Sequence, residues 1–277
     1  MIVLYWNIRG LANKYSRDVL FDHIKQLSPD VVCLAEPMMN VLDFPIALLH
    51  LFNMKLYAYN IRDGVSKIWI LVKKNINNPN VVSNTDQEIS IDFLLGNKSF
   101  RISFVYANVH IYARRRLWHL LQSLAPSDSP WLLIGDFNAI LGAHERRGGN
   151  LPNSTSCHDF SKMIDDIELH EITMKGAPFT WARKSARGYM ECKLDRALCN
   201  SAWLEHWNWL NCFSRPRHAS DHNPIVLQFL ENSTRGPVPF RFKSMWLEHE
   251  NFEHFVKEKW CSYSSSGSTI GALISKL

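Results

Sequence analysis

The chain has 277 residues, 46% of them apolar and 10 of them Trp, so it can bury a closely packed core. At ~100–200 residues per domain that is one large α/β domain or two small ones. No stretch approaches the ~20 apolar residues of a membrane span, which excludes a bundle of membrane helices. A formal charge of +5 is mildly basic: it suits a polyanionic partner without proving one.

The 6 cysteines show no Cys-x-x-Cys pair and no zinc-like spacing, and residues 1–5 are apolar but too short for a signal peptide. We therefore expect a soluble, non-secreted protein of a reducing compartment, in which the sequons at Asn97, Asn153 and Asn232 have no meaning.

In chain order, short apolar runs predict strands at 2–8, 31–35, 55–60, 67–72, 88–95, 100–108, 131–135, 179–183, 207–213 and 225–230. Leu20, Ile24 and Leu27 form a weak helical stripe closed by Ser28-Pro29. Residues 67–72, 88–95 and 100–108 follow one another without helices, which predicts an antiparallel meander, and Asn-rich 75–84 reads as a long loop. Helices are clearest at Leu117, Leu120, Leu121 and Leu124, and at Phe160, Met163, Ile164 and Ile167, the second with Ser154 and Thr155 as expected caps. Some strands alternate and others are apolar throughout. That mixture predicts two mixed sheets packed face to face with helices outside.

Beyond a domain at 1–230, residues 231–239 carry Ser, Thr, Gly and Pro and read as a linker. Residues 240–277 read as a helical extension around Phe252, Phe255, Val256 and Trp260. Basic residues cluster at 114–116, at Arg146-Arg147, at Arg183-Lys184 with Arg187, and at Arg215 with Arg217, all expected in loops. Clusters of this kind are usually solvated surface.

Two segments carry the most chemistry, Gly135-Asp136-Phe137-Asn138 and Ser220-Asp221-His222-Asn223-Pro224, each beside an apolar run. A strand ending in Gly-Asp-x-Asn sets two oxygen-bearing side chains on one side of the chain, an arrangement suited to a hard cation and a phosphate. A lone Asp-x-Asn is more often a turn. Asn7 ends the first strand, Glu36 the second, and Asp195 lies in Lys193-Leu194-Asp195-Arg196. Taken singly, Asn7 caps a turn, Glu36 is a surface acid and Asp195 pairs with Arg196.

In order, strand-Asn, strand-Glu, strand-Tyr, Gly-Asp-x-Asn, Leu-Asp-Arg and Ser-Asp-His-x-Pro resemble the endonuclease/exonuclease/phosphatase superfamily over roughly residues 2–229. Asn7-x-Arg9-Gly10-Leu11, Tyr106-Ala107, Phe179-Thr180-Trp181 and Leu194-Asp195-Arg196 look most like the endonuclease domain of plant LINE-type (non-LTR) retrotransposons. Pro239-Phe240-Arg241-Phe242 and Trp246-x-x-His249-x-x-Phe252 resemble the segment joining that domain to reverse transcriptase.

The resemblance implies a four-layered α/β sandwich and a metal-dependent endonuclease that nicks one strand of DNA, in the nucleus with its substrate. It implies Glu36 as principal ligand of Mg²⁺ or Mn²⁺, with Asn7 and Asp221 nearby, and Asp136 as the group that deprotonates the attacking water. Asn138 and Tyr106 would bond the scissile phosphate, and His222, held by Asp195, would face the phosphoryl oxygens as a cation. Thr180, Arg9 and Arg183 are the candidates for binding substrate. Repair-type apurinic enzymes carry an acidic residue where this chain has Arg9, which argues against dedicated abasic-site repair. The rival readings are a phosphatase acting on a small phosphoester with the same core, and an inactive relic that binds nucleic acid.

Overall fold

The computed structural model describes residues 1–45, 47–62, 64–76, 79–185, 188–207, 209–230 and 251–262. The expected linker at 231–239, the stretch 240–250, Arg187 and the last residues lie outside the described residues. The chain divides into two units, 1–232 and 233–277. In the second, a helix runs from Phe252 to Ser262.

In the first unit the strands are β1 (Ile2–Asn7), β2 (Val31–Ala35), β3 (Met54–Arg62), β4 (Val65–Lys73), β5 (Asn80–Asn84), β6 (Glu88–Leu95), β7 (Lys98–Tyr106) and β8 (Trp131–Asp136). They continue with β9 (Arg146–Arg147), β10 (His170–Glu171), β11 (Met174–Lys175), β12 (Trp181–Ser185), β13 (Gly188–Cys192), β14 (Asp195–Cys199), β15 (Trp209–Ser214) and β16 (Ile225–Leu230). The helices are α1 (Lys14–Leu27), α2 (Ala47–His50), α3 (Ile111–Leu124), α4 (Ser154–Asp166) and α5 (Ser201–His206).

A seven-stranded sheet has the order β11-β15-β16-β1-β2-β4-β3 and a six-stranded sheet the order β10-β14-β8-β7-β6-β5. Val3, Tyr5, Cys33 and Ile70 of the first share one buried cluster with Ile89, Ile91, Phe104 and Ile134 of the second. The opposite face of the first sheet, with Leu4, Trp6, Val32 and Leu34, packs on Leu20 and Ile24 of α1. That of the second, with Val105 and Leu133, packs on Leu117 and Leu121 of α3 and Phe160 and Met163 of α4. The result is the four-layered sandwich that the pattern of strands and helices implies.

Three expectations need correction. Residues 67–72 do not enter a meander with 88–95, because β4 pairs with β2 and β3 in the first sheet. Part of the Asn-rich loop is strand: β5 carries the chain to the second sheet and pairs with β6. The α4 cap is Asn153, whose side chain accepts from Ser156 N–H, rather than Ser154 or Thr155.

β8 lies between β7 and β14, and Gly135 is paired with Val105. A Cβ at Gly135 would sit 2.0 Å from the Val105 carbonyl oxygen. The same oxygen accepts from the Tyr5 hydroxyl at 2.8 Å, so the glycine keeps that carbonyl free. Gly135→Ala is expected to destabilise the fold by more than about 4 kcal/mol, since backbone must move. A urea midpoint equal to the parent's would contradict this packing.

Candidate active site

Strand ends from both sheets converge at one place. The seven-stranded sheet supplies Asn7 at the end of β1, Glu36 just after β2, and the 220–223 segment before β16. The six-stranded sheet supplies Tyr106 at the end of β7, Asp136 at the end of β8, and Asp195 at the start of β14. The Asn7 amide nitrogen donates to Glu36 Oε1 at 3.1 Å and to Asp136 Oδ2 at 3.1 Å, and lies 3.4 Å from His222 Nε2. The Tyr106 hydroxyl donates to Glu36 Oε1 at 2.8 Å. His222 Nδ1 meets Asp195 Oδ2 at 2.8 Å, and its Nε2 lies 3.8 Å from Asp136 Oδ2.

Local backbone geometry supports this set. Arg9, Glu36 and Asn138 all have left-handed φ, near +50°, +50° and +46°. Arg and Glu rarely hold that conformation unless their surroundings favour it, whereas Asn visits it readily. For Glu36 the enforcing bonds are Glu36 N–H to Lys67 O at 2.9 Å and Gly10 N–H to Glu36 O at 2.8 Å. For Asn138 they are its N–H to Asp136 Oδ1 at 2.9 Å and its amide to Ala107 O at 2.9 Å. Arg196, alternating with Asp195 across β14, turns away and grips Glu145 at 2.7 and 3.1 Å, which leaves Asp195 to His222.

Asp136, Asp195 and His222 are buried. Burial pushes the Asp136 carboxyl up to about 7, with Asp195 adding to the rise while His222, the Asn138 N–H and Asn7 restrain it. Burial works against charge on His222, yet Asp195 and Asp136 beside it raise the imidazole to about 9. Burial, and then Glu36, raise the Tyr106 phenol.

Among the described residues, two arrangements at this site offer ligand atoms to a cation. Atoms of Asp136, Asp195 and His222 lie within 4.8 Å of one another. In that triangle His222 Nδ1 already serves Asp195, and an imidazole held towards its charged form has no lone pair to spare. The outer set is Glu36, Asn7 and Asp221. There Asn7 Oδ1 and Asp221 Oδ1 are buried without a hydrogen-bond partner, oxygens that suit a hard cation. The residues present fit a divalent ion.

With that geometry in place, the kinship is plain: the pattern of one family matches residues 4–222. The chain belongs to the Endonuclease/Exonuclease/phosphatase family. No curated protein sequence matches it. Among solved structures it is similar to the 3' phosphatase NExo from Neisseria bound to a product DNA hairpin, at 16% identity and a TM-score of 0.64, covering 83% of this chain and 100% of that one. An AP endonuclease from Archaeoglobus fulgidus has 14% identity and a TM-score of 0.64, covering 83% and 99%. The endonuclease domain of TRAS1, a telomere-specific non-LTR retrotransposon, has 13% identity and a TM-score of 0.59, covering 82% and 97%. At these identities the shared property is the Endonuclease/Exonuclease/phosphatase fold.

The fold brings together Asn7, Glu36, Tyr106, Asp136, Asn138, Asp195, Asp221 and His222. Arg9 joins them, donating to Asp221 in a close ion pair, with its Nε 3.7 Å from Glu36 Oε2. Thr180 departs from its expected role as a substrate contact. It is buried, and its hydroxyl accepts from Leu194 N–H at 3.0 Å and Asp195 N–H at 2.9 Å, so it positions Asp195. Arg183 is exposed on β12. Arg114–Arg116 are not in a loop: they lie in α3, with Arg114 buried on Asn108 O and Val109 O and Arg115 paired with Asp159.

Sequence reasoning missed three supports. Tyr5 sits among the buried residues of β1, its hydroxyl accepting from Asp136 N–H at 3.0 Å. The Ser220 hydroxyl donates to Asn7 O at 2.7 Å and accepts from His222 N–H at 3.1 Å. Trp181 Nε1 donates to Asp221 Oδ2 at 2.9 Å. The alternation Val3, Tyr5, Asn7 along one face was the available signal for Tyr5.

Thr180→Val removes the acceptor of two backbone N–H groups, at about 1–3 kcal/mol each if they stay unpaired. It should loosen the Asp195–His222 contact and lower phosphoester hydrolysis with little change in substrate affinity, and Thr180→Ser should restore it. Loss of substrate affinity with turnover intact would mark Thr180 as a substrate contact after all.

Proposed function

We propose that this member of a family of hydrolytic nucleases and phosphatases is a divalent-cation-dependent endonuclease that nicks one strand of DNA, derived from a retroelement. The observation that carries the reading is the placing of Asp136 Oδ2 and His222 Nε2 at 3.1 and 3.4 Å from the Asn7 amide nitrogen, with the Glu36 carboxylate on the same nitrogen at 3.1 Å. Phosphodiester hydrolysis needs a proton taken from water and a cationic surround for the phosphoryl oxygens. Asp136, lifted towards neutrality, takes the proton from the attacking water. His222 presents Nε2–H to a phosphoryl oxygen, and Asp195 on Nδ1 fixes its orientation and charge. Asn7 holds Asp136 and Glu36 in mutual register. Glu36, Asn7 and Asp221 would hold the cation, which when bound neutralises charge on the phosphate. The Tyr106 hydroxyl, now on Glu36, and the Asn138 amide, now on Ala107 O, would turn to a bound phosphate.

DNA, rather than a small phosphoester, is supported by the strand pair β12–β13. Its base is tied to the site by Ala182 N–H to Asp221 O at 3.0 Å and by a Trp181–His222 bridge. It presents exposed Arg183 and Lys184, and β9 beside it adds exposed Arg147. A polyanion that runs past the scissile phosphate suits such a surface. On this reading the protein acts in the nucleus, and its parent element carries a reverse transcriptase.

Nicking of supercoiled plasmid should require Mg²⁺ or Mn²⁺ and stop in excess chelator. Asp136→Asn and His222→Ala should each lower turnover on the order of 10²-fold or more, with the double variant far from additive. Undiminished nicking in chelator, or faster phosphate release from inositol phosphates than nicking, would overturn the proposal.

A further inference from the structure

Arg9 contacts two carboxylates of the site. Its Nη1 donates to Asp221 Oδ2 and its Nε approaches Glu36 Oε2 at 3.7 Å, so one guanidinium spans both. The Arg9 backbone is left-handed, and the next two residues are fastened to the Glu36 loop by Gly10 N–H to Glu36 O at 2.8 Å and Leu11 N–H to Pro37 O at 2.9 Å. The loop that carries the guanidinium is thus built onto the loop that carries the carboxylate.

Two further observations give this contact a consequence. The guanidinium leaves Asp221 Oδ1 and Asn7 Oδ1 buried and unpartnered, so it satisfies the oxygens only in part. The Arg9 side chain is also half-exposed, at 50%, while Glu36 and Asp221 are 17% and 19% exposed. The carboxylates are the less accessible groups, and the guanidinium is the more exposed one. A divalent ion on Glu36 and Asp221 would meet the guanidinium as a like charge competing for the same two carboxylates.

We propose that Arg9 is a built-in counter-cation of the metal site, holding Glu36 and Asp221 together in the metal-free protein and displaced when a divalent ion takes them. Arg9 thereby sets the metal affinity, and keeps the carboxylates from repelling each other while no ion is bound. This inference rests on the reading of Glu36 and Asp221 as the carboxylates that hold the ion.

The test is direct Mn²⁺ binding, read from the electron paramagnetic resonance signal of free Mn²⁺ at fixed ionic strength and without DNA. Arg9→Gln should bind Mn²⁺ on the order of tenfold tighter than the parent. Its metal-free form should melt lower, and should gain more in melting temperature on adding Mn²⁺. Arg9→Lys keeps the charge but reaches one carboxylate at a time, and should fall between the two. An Arg9→Gln affinity no tighter than the parent's would overturn the proposal. So would a tighter Arg9→Gln with Arg9→Lys equal to the parent, because that pattern reports long-range charge rather than displacement. Glu36→Gln separates the two levels of failure. If Glu36→Gln binds Mn²⁺ as the parent does, the assignment of the metal site is wrong; if it binds weakly while Arg9→Gln is unchanged, only the role of Arg9 is wrong.

Discussion

The hydroxyl of Tyr5 joins the two sheets at the point where the site is made. It donates to Val105 O of β7 and accepts from the N–H of Asp136 at the end of β8. Apolar packing between the sheets is strong but has no direction, so it would tolerate a small slip along the strands. A buried hydrogen-bonded hydroxyl does not, because slipping would leave three polar groups unsatisfied. Everything that follows is measured from that point. Asn7 lies two residues beyond Tyr5, Tyr106 one beyond Val105, and Asp136 is bonded directly. Gly135 completes the arrangement by leaving the Val105 carbonyl open.

Around this joint the protein sets opposed ionisation preferences side by side. Burial favours a neutral Asp136, while the carboxylates beside it favour a charged His222. A carboxyl raised towards neutrality is a usable base, and an imidazolium held charged is a usable electrophilic partner. Neither would arise on an exposed strand end. Thr180, Ser220 and Trp181 keep the pair and its neighbours in place through backbone and carboxylate contacts. Their contribution is geometric.

Much of this was legible in the sequence because the chemistry sits at strand ends, where an apolar run stops at a polar residue. The runs before Asn7, Glu36 and Asp136 are buried on both faces, and such strands announce themselves. The strand β5 did not, since Asn80–Asn84 is a mostly exposed edge strand with no apolar face to read. The pairing of β4 was not legible either, because a strand's sequence says that it is buried and not which neighbour it meets. Thr180 shows a further limit: the resemblance marks it as a substrate contact, and only its burial against Leu194 and Asp195 shows what it bonds. Arg114 was hidden in the same way, a basic residue whose guanidinium is buried on backbone carbonyls rather than offered to a polyanion.

The central claim is that the outer oxygens of Asn7, Glu36 and Asp221 take the cation while Asp136, Asp195 and His222 handle protons and phosphoryl charge. Anomalous diffraction from crystals soaked in Mn²⁺ tests that division most directly. The account predicts a single strong peak against the Glu36 carboxylate, facing Asn7 Oδ1 or Asp221, with the His222–Asp195 contact intact. A peak inside the Asp136, Asp195 and His222 triangle, with that contact broken, would contradict it.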